Sequence, residues 1–275
     1  MLGLGNSLVT GGVTVPFTPE SINGLIVWLK WNQNITADLN SGGGGVTHST
    51  AAGNMANGDQ INAWNGFGNT SINAVQTNNG DKPRWSTAAG TVGAVNSSND
   101  NKHMDLSSEL EFNGQSFSPT VVVGEFTIAI RFRVNDFDAE RVFIGDDANE
   151  YFSLVDENTI RIKTGTTNTQ VDTFVGTDDM VADKDITIII VRTAPLGFIT
   201  AYVRGEDYHT DEPTGRAFGV TVQDTTEITL NYIMAKDNGT DEWDGTFKDV
   251  LVYDGHAASA SQRKELYDYL EAQEL

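Results

Sequence analysis

The chain has 275 residues, with 38 acidic against 17 basic side chains and a formal charge of −21. A surface this acidic repels phosphate backbones and excludes nucleic acid as a partner. No stretch reaches the ~18 apolar residues that argue for a membrane span, and a chain without cysteine has neither disulfide nor thiolate chemistry.

Long all-β sandwiches commonly run as one domain at this length. Folding would bury roughly 70–75% of the unfolded chain's surface, enough for a core without staples. The absence of cysteine fits folding in a reducing cytoplasm. Met1 to Asn6 has no basic n-region and no sustained apolar run, so no secretory signal is expected there. A protein of this kind that works outside a cell would leave by lysis.

Residues 1–20 read as an N-terminal arm. The arm is glycine-rich and mildly apolar, with Met1, Leu2, Leu4, Leu8 and Val9 as its apolar side chains and Pro16 and Pro19 at its exit. It cannot form a core alone, so it is either a frayed end or a segment docked on a neighbouring subunit. Docking is the reading taken here. Residues 21–275 read as one domain.

Leu25 to Leu29 is a buried strand. From residue 40 to about 105 the composition changes: Gly42 to Gly45 is an unbroken glycine run, and Ser, Thr, Asn, Gly and Ala dominate. Such residues satisfy turns and bury little, which predicts long loops, often functional or partner-bound. Trp64 and Trp85 within them read as anchors on the sandwich edge.

Strands become regular after residue 110. Phe126, Ile128, Ile130, Phe132 and Val134 alternate with small or polar residues, which predicts a half-exposed strand. Arg141–Gly145, Tyr151–Val155 and Thr159–Lys163 come next at short spacing, the last two joined by the turn Asp156-Glu157-Asn158. Ile186 to Val191 is nearly continuous apolar sequence, and Phe198 to Val203 pairs with it across Ala194-Pro195-Leu196-Gly197. Glu227 to Met234 gives another strand. Phe247 to Tyr253 is the last strand and is covered on both faces. Ser259 then caps a helix, with Gln262 completing a capping box, and Leu266, Tyr269 and Leu270 fall on one helical face. Short strands at close intervals predict an all-β antiparallel sandwich, a jelly roll, with one short C-terminal helix.

The chemistry-bearing residues are sparse. Retaining glycosidases place two carboxylates about 5–5.5 Å apart, and on a strand alternate residues share a face. Asp136, Asp138 and Glu140 have the spacing but lie in a turn, so no catalytic residue is expected and the chain reads as a non-enzyme. A single Ca²⁺ at a sandwich edge is the only cofactor considered. Its candidate ligands are Asp146 and Asp147, Asp178 and Asp179, and Asp237, Asp241 and Asp244, none at the spacing of a twelve-residue calcium loop. His48, His103, His209 and His256 have no helical i, i+4 pair for zinc. Trp243, flanked by Glu242 and Asp244, and Tyr208, beside His209, are the candidate aromatic contacts for a sugar face.

Five segments carry a resemblance. The strand "VLVYDG" with the helix "SQRKELYDYL" resembles the end of concanavalin A-like, laminin-G-like jelly rolls. "MLGLGNSLVTGG", followed by the strand Leu25-Ile26-Val27-Trp28-Leu29 and the loop Ala63-Trp64-Asn65-Gly66-Phe67-Gly68-Asn69, resembles structural proteins of tailed phages, cyanophages above all. Where those relatives carry Asp-x-Ser-Gly in the loop, this chain has Asn-Gly-Phe-Gly. The resemblance implies a non-enzymatic virion protein in many copies per particle. It would dock on other capsid or tail proteins through its arm and loops, as a capsid decoration or head fibre. The alternative it implies is a tail-fibre adhesin whose jelly roll contacts host-surface glycan.

Overall fold

A computed structural model describes residues 16–30, 33–38, 45–48, 57–86, 94–96, 103–112, 114–117, 120–164, 167–172, 180–205, 216–217, 222–224, 226–236 and 243–272. The arm residues Met1, Leu2, Leu4, Leu8 and Val9 lie outside them, as do Tyr208, His209, Asp178, Asp179, Asp237 and Asp241.

The strands in chain order are β1 (Leu25–Leu29), β2 (Ile35–Asp38), β3 (Gly45–His48), β4 (Gln60–Trp64), β5 (Ala74–Val75), β6 (Arg84–Ser86), β7 (Ala94–Asn96), β8 (Met104–Phe112), β9 (Gly114–Phe117) and β10 (Thr120–Val123). They continue as β11 (Phe126–Val134), β12 (Arg141–Gly145), β13 (Tyr151–Asp156), β14 (Thr159–Thr164), β15 (Thr167–Asp172), β16 (Asp185–Thr193), β17 (Phe198–Gly205), β18 (Arg216–Ala217), β19 (Val222–Gln223), β20 (Ile228–Ile233) and β21 (Gly245–Asp254). Among the described residues one α-helix, α1 (Ala260–Glu271), follows β21.

All pairings among the described residues are antiparallel. One layer runs β1–β21–β11–β16–β17, with β18 and β19 on the far side of β17. The other runs β15–β14–β13–β12–β20–β8–β5–β4–β2–β3. Strands β6 and β7 link the two, since β6 pairs with β4 and β7 pairs with β21. The expected sandwich with a C-terminal helix is therefore the observed architecture. Within the region read as loops, the described residues also form short strands, β3 to β7. Polar, β-poor sequence is recruited there by pairing, and Trp64 and Trp85 enter the main core at 1% exposure each.

The core between the layers holds Phe126, Ile128, Ile130, Phe132 and Val134 of β11, opposed by Phe143, Phe152, Ile160, Leu230 and Phe112. Strand β11 is not half-exposed, however. Its alternate residues Thr127, Ala129 and Arg131 are also buried. The cover is α1, whose Leu266, Tyr267 and Leu270 pack with Ala129, Ile189, Val191, Leu251 and Tyr253. The capping box predicted at Ser259 and Gln262 forms. Fully burying each such apolar side chain contributes about 1.5–3 kcal/mol, which explains why a short helix holds its place.

Past the helix end this outer face becomes ionic. Asp185, 3% exposed, receives hydrogen bonds from Arg131 Nη2 at 3.0 Å, Arg133 Nε at 3.0 Å and Lys248 Nζ at 2.5 Å. Burial raises the Asp185 carboxyl, but Lys248 and the two arginines more than reverse this, and it titrates below the usual aspartate range. At the other end of β16, Arg192 is fully buried and ties three segments, donating to Gly124 O at 2.7 Å, Thr226 O at 3.0 Å and Phe112 O at 3.0 Å. Burial lowers its pKa to about 10.

Removing one partner from a buried ion cluster costs about 3–5 kcal/mol, because the others stay charged and dry. Asp185→Asn is therefore expected to lower urea-unfolding stability by about that amount. Because its folded pKa is depressed, the contribution of Asp185 is complete above the unfolded pKa of about 3.9 and is lost as pH falls toward the folded value. The wild-type chain should lose stability below about pH 4 through this group, and Asp185→Asn should show a flatter acid limb.

Candidate functional site

At the end of the sandwich where β11 finishes and β16 begins, three connections meet around a groove of about 460 Å³ lined by Asp136, Phe137, Asp138, Asp156, Glu157, Asn158 and Ala182. The β11–β12 turn supplies the first three. It is anchored by Asn135, whose N–H donates to Asp244 O at 2.9 Å and whose Nδ2 donates to Asp244 Oδ1 at 2.6 Å. The β13–β14 turn closes as the sequence predicts, with Asn158 N–H donating to Asp156 Oδ1 at 2.8 Å. The segment before β16 is fixed by Asp183 N–H donating to Val134 O at 2.8 Å.

Phe137 packs partly against the core and gives the groove an apolar wall. The rest of the lining is polar. Arg141 Nη2 donates to Asp136 Oδ1 at 2.7 Å, and the Asp138 N–H adds a bond at 3.2 Å. Together they hold the Asp136 carboxyl below the ordinary aspartate range. Asp138 and Glu157 are exposed. Carboxylates and an amide beside one ring are suited to accept hydrogen bonds from hydroxyl or ammonium groups.

Two of the three residues considered for catalysis are drawn into ion pairs. Glu140 accepts from Ser153 Oγ at 2.6 Å and Arg161 Nη1 at 2.5 Å, while Asp136 is taken by Arg141. Of the calcium candidates, Asp147 Oδ1 accepts the N–H groups of Asn149 at 2.6 Å and Glu150 at 3.0 Å, and Asp146 sits in the same turn. Asp244 is 4% exposed and bound to Asn135, with Arg141 3.7 Å away. Among the described residues no three His, Asp or Glu side chains group as a metal site requires. Asp178, Asp179, Asp237 and Asp241, the other carboxylates considered for Ca²⁺, lie outside the described residues.

Trp243 requires a correction. It is fully buried, not an exposed sugar platform, and its ring lies edge-on to Phe132 at 4.5 Å and to Phe247 at 5.0 Å. Gly245 allows this. At φ +154°, a Cβ there would sit 2.0 Å from Arg133 O and 2.9 Å from Trp243 Nε1. The groove itself is not visible in the sequence. Its acidic turns can be read one by one, but nothing in them indicates that they converge.

The family model described as the concanavalin A-like lectin/glucanases superfamily matches residues 107–262, more than half the chain. The chain belongs to that superfamily. No curated protein sequence matches significantly. Among solved structures, domain 4 of AbnA, a GH43 extracellular arabinanase of Geobacillus stearothermophilus in complex with arabinotriose, is similar at 13% identity. That alignment covers 88% of this chain and 98% of the domain, with a TM-score of 0.42. Trypanosoma rangeli sialidase in complex with the inhibitor DANA is similar at 8% identity over 94% of this chain and 36% of its own, with a TM-score of 0.47. The Lotus tetragonolobus seed lectin is similar at 8% identity over 69% and 89%, with a TM-score of 0.35.

Truncating a buried Trp costs about 3–5 kcal/mol. Trp243→Ala should therefore lower the unfolding midpoint strongly in chemical denaturation. Trp243→Phe, which keeps most of the packing, should cost less than half as much.

Proposed function

We propose that this superfamily member is a non-catalytic binding module that holds a hydroxyl-rich glycan in the groove between the β11–β12 and β13–β14 turns. The observation that carries this reading is the groove itself: about 460 Å³, one ring, one amide and several carboxylates, all on turns fixed by rigid strands. Catalysis by the general acid of a glycosidase needs a carboxyl with a raised pKa, and Asp136 is shifted the other way.

The proposed setting is the surface of a tailed-phage particle. The resemblance of the first thirty residues to phage structural proteins supports it, and the charge of −21 suits a protein crowded in many copies. In this reading residues 1–20 and the loops within 40–105 hold the module to neighbouring capsid or tail proteins. The groove faces outward, and no cofactor is required.

A glycan array followed by titration tests the ligand. Specific binding in the millimolar to micromolar range is expected. Asp138→Asn and Asn158→Ala should each weaken it by about tenfold, as for loss of one good hydrogen bond to a charged or amide group, with an unchanged melting temperature. No glycan bound above background, or binding indifferent to both substitutions, would sink the groove assignment. The particle setting is tested separately, by rebinding of full-length protein and of protein lacking residues 1–16 to stripped particles. Arm-dependent, saturable rebinding is expected.

A further inference from the structure

The dipeptide Asn-Gly recurs along the chain, at Asn23, Asn57, Asn65, Asn79, Asn113 and Asn238. Such a pair is prone to spontaneous rearrangement, because glycine has no side chain to shield its backbone nitrogen from the asparagine amide carbon. Asn113 and Asn238 lie outside the described residues. The fold treats the other pairs differently.

At Asn57, Asn65 and Asn79 the attacking nitrogen is occupied. Gly58 N–H donates to Trp85 O at 2.8 Å, and Gly66 N–H donates to Asn73 Oδ1 at 2.8 Å. Gly80 N–H donates to Asn78 Oδ1 at 3.1 Å. The amides are held as well: Asn65 Nδ2 donates to Asn34 O at 2.9 Å, and Asn79 Oδ1 accepts from Lys82 Nζ at 2.6 Å. Ring closure at these positions must first break a hydrogen bond. Asn23 and Gly24, by contrast, form the exposed turn that leads into β1. Among the described residues, neither the Asn23 amide nor the Gly24 N–H has a hydrogen-bond partner.

We propose that Asn23 is a site of spontaneous conversion to isoaspartate, and that the conversion loosens the N-terminal cover of the sheet. Gly24 N attacks Asn23 Cγ and closes a succinimide ring. The Cγ–Nδ2 bond breaks, and ammonia leaves with the proton of the Gly24 nitrogen. Water then opens the ring. Opening at the main-chain carbonyl leaves isoaspartate, and opening at the side-chain carbonyl leaves aspartate.

The chain is pinned on both sides of this turn. Ile22 is buried in the outer core, and Tyr253 OH donates to Pro19 O at 3.2 Å. Asp254 N–H donates to Gly24 O at 2.8 Å. Gly24, at φ +86°, lies directly on β21, where a Cβ would sit 2.1 Å from Asp254 O. Isoaspartate routes the main chain through Cβ and lengthens it by about 1.5 Å. The sheet side has no room for that length, so the segment from Pro19 to Ile22 must absorb it. Either product also adds a carboxylate next to the contact between Gly24 and the exposed Asp254.

The test is peptide mapping by mass spectrometry of the full chain aged in warm, mildly alkaline buffer, with isoaspartyl methyltransferase labelling to mark isoaspartate. In the folded chain Asn23 is expected to convert several-fold faster than Asn57, Asn65 and Asn79. In denaturant these sites should convert at comparable rates, so that the ranking belongs to the fold. Asn23→Gln should abolish labelling of that peptide, because the longer side chain closes its larger ring slowly. Hydrogen exchange across residues 16–29 should be faster in the aged chain than in the fresh one, and unchanged by ageing in Asn23→Gln. Asn23 stable in the folded chain, converting no faster than the other sites, or ranked first in denaturant as well, overturns the assignment. Conversion without faster exchange overturns its effect on the cover.

Discussion

The fold rests on keeping three neighbouring strands, β11, β16 and β21, dry on both faces. The opposite layer supplies one cover. The other is built from chain that β-sequence alone would not provide: the twelve-residue helix α1 and the short segment around Phe17 and Ile22. Polar hardware fixes this second cover in register. Thr127 Oγ1, on the outer face of β11, donates to His256 O at 2.8 Å and accepts from Ala258 N–H at 2.9 Å, clamping the link between β21 and α1. Tyr253 OH donates to Pro19 O at 3.2 Å and fixes the N-terminal segment to the same face.

The helix is too short to cover the whole face, and the remainder of that face is occupied by charge. Replacing a buried ion cluster by well-packed apolar residues is often neutral or stabilising, so stability alone does not account for Arg131, Asp185 and Lys248. The cluster permits a polar cavity with rigid walls, which an apolar patch would not. The acidic groove lies at the same end of β11 and β16, on the turns rather than on the sheet face. The groove and this cavity therefore share one rigid frame, the groove walled by acidic turns and the cavity by arginines paired with carboxylates.

Legibility in the sequence depends on whether the determining contact is local. The alternation from Phe126 to Val134, the apolar run Ile186 to Val191 and the Ser259–Gln262 capping box each encode their structure within a few residues, and each is readable. Thr127 and Arg131 point to an exposed face because their partners lie far along the chain, at His256, Ala258 and Asp185. Helical spacing omits Tyr267 from the buried face for a related reason. Its ring lies against β17, where Arg204 stacks on it, so the covered stripe is wider than Leu266, Tyr269 and Leu270 suggest. Trp243 misleads through its neighbours: Glu242 and Asp244 make it look solvated, whereas Gly245 turns the backbone so that the indole enters the core.

The groove is the hardest case, because no single segment contains it. The turn at Asp156–Asn158 and the acidic spacing at Asp136–Glu140 are both plain in the sequence. Their convergence with Ala182, however, comes from β11 and β16 pairing along their whole length, Arg133 opposite Asp185. In sequence, three acidic residues at spacing two resemble an acid–base set. In the structure, Arg141 takes Asp136, and Ser153 with Arg161 takes Glu140. A carboxylate stabilised in its ionised form is a poor proton donor and a good hydrogen-bond acceptor. Asp136, on the groove wall and held below the ordinary aspartate range by Arg141, is thereby fixed as an acceptor, the chemistry the proposed groove for hydroxyl groups requires.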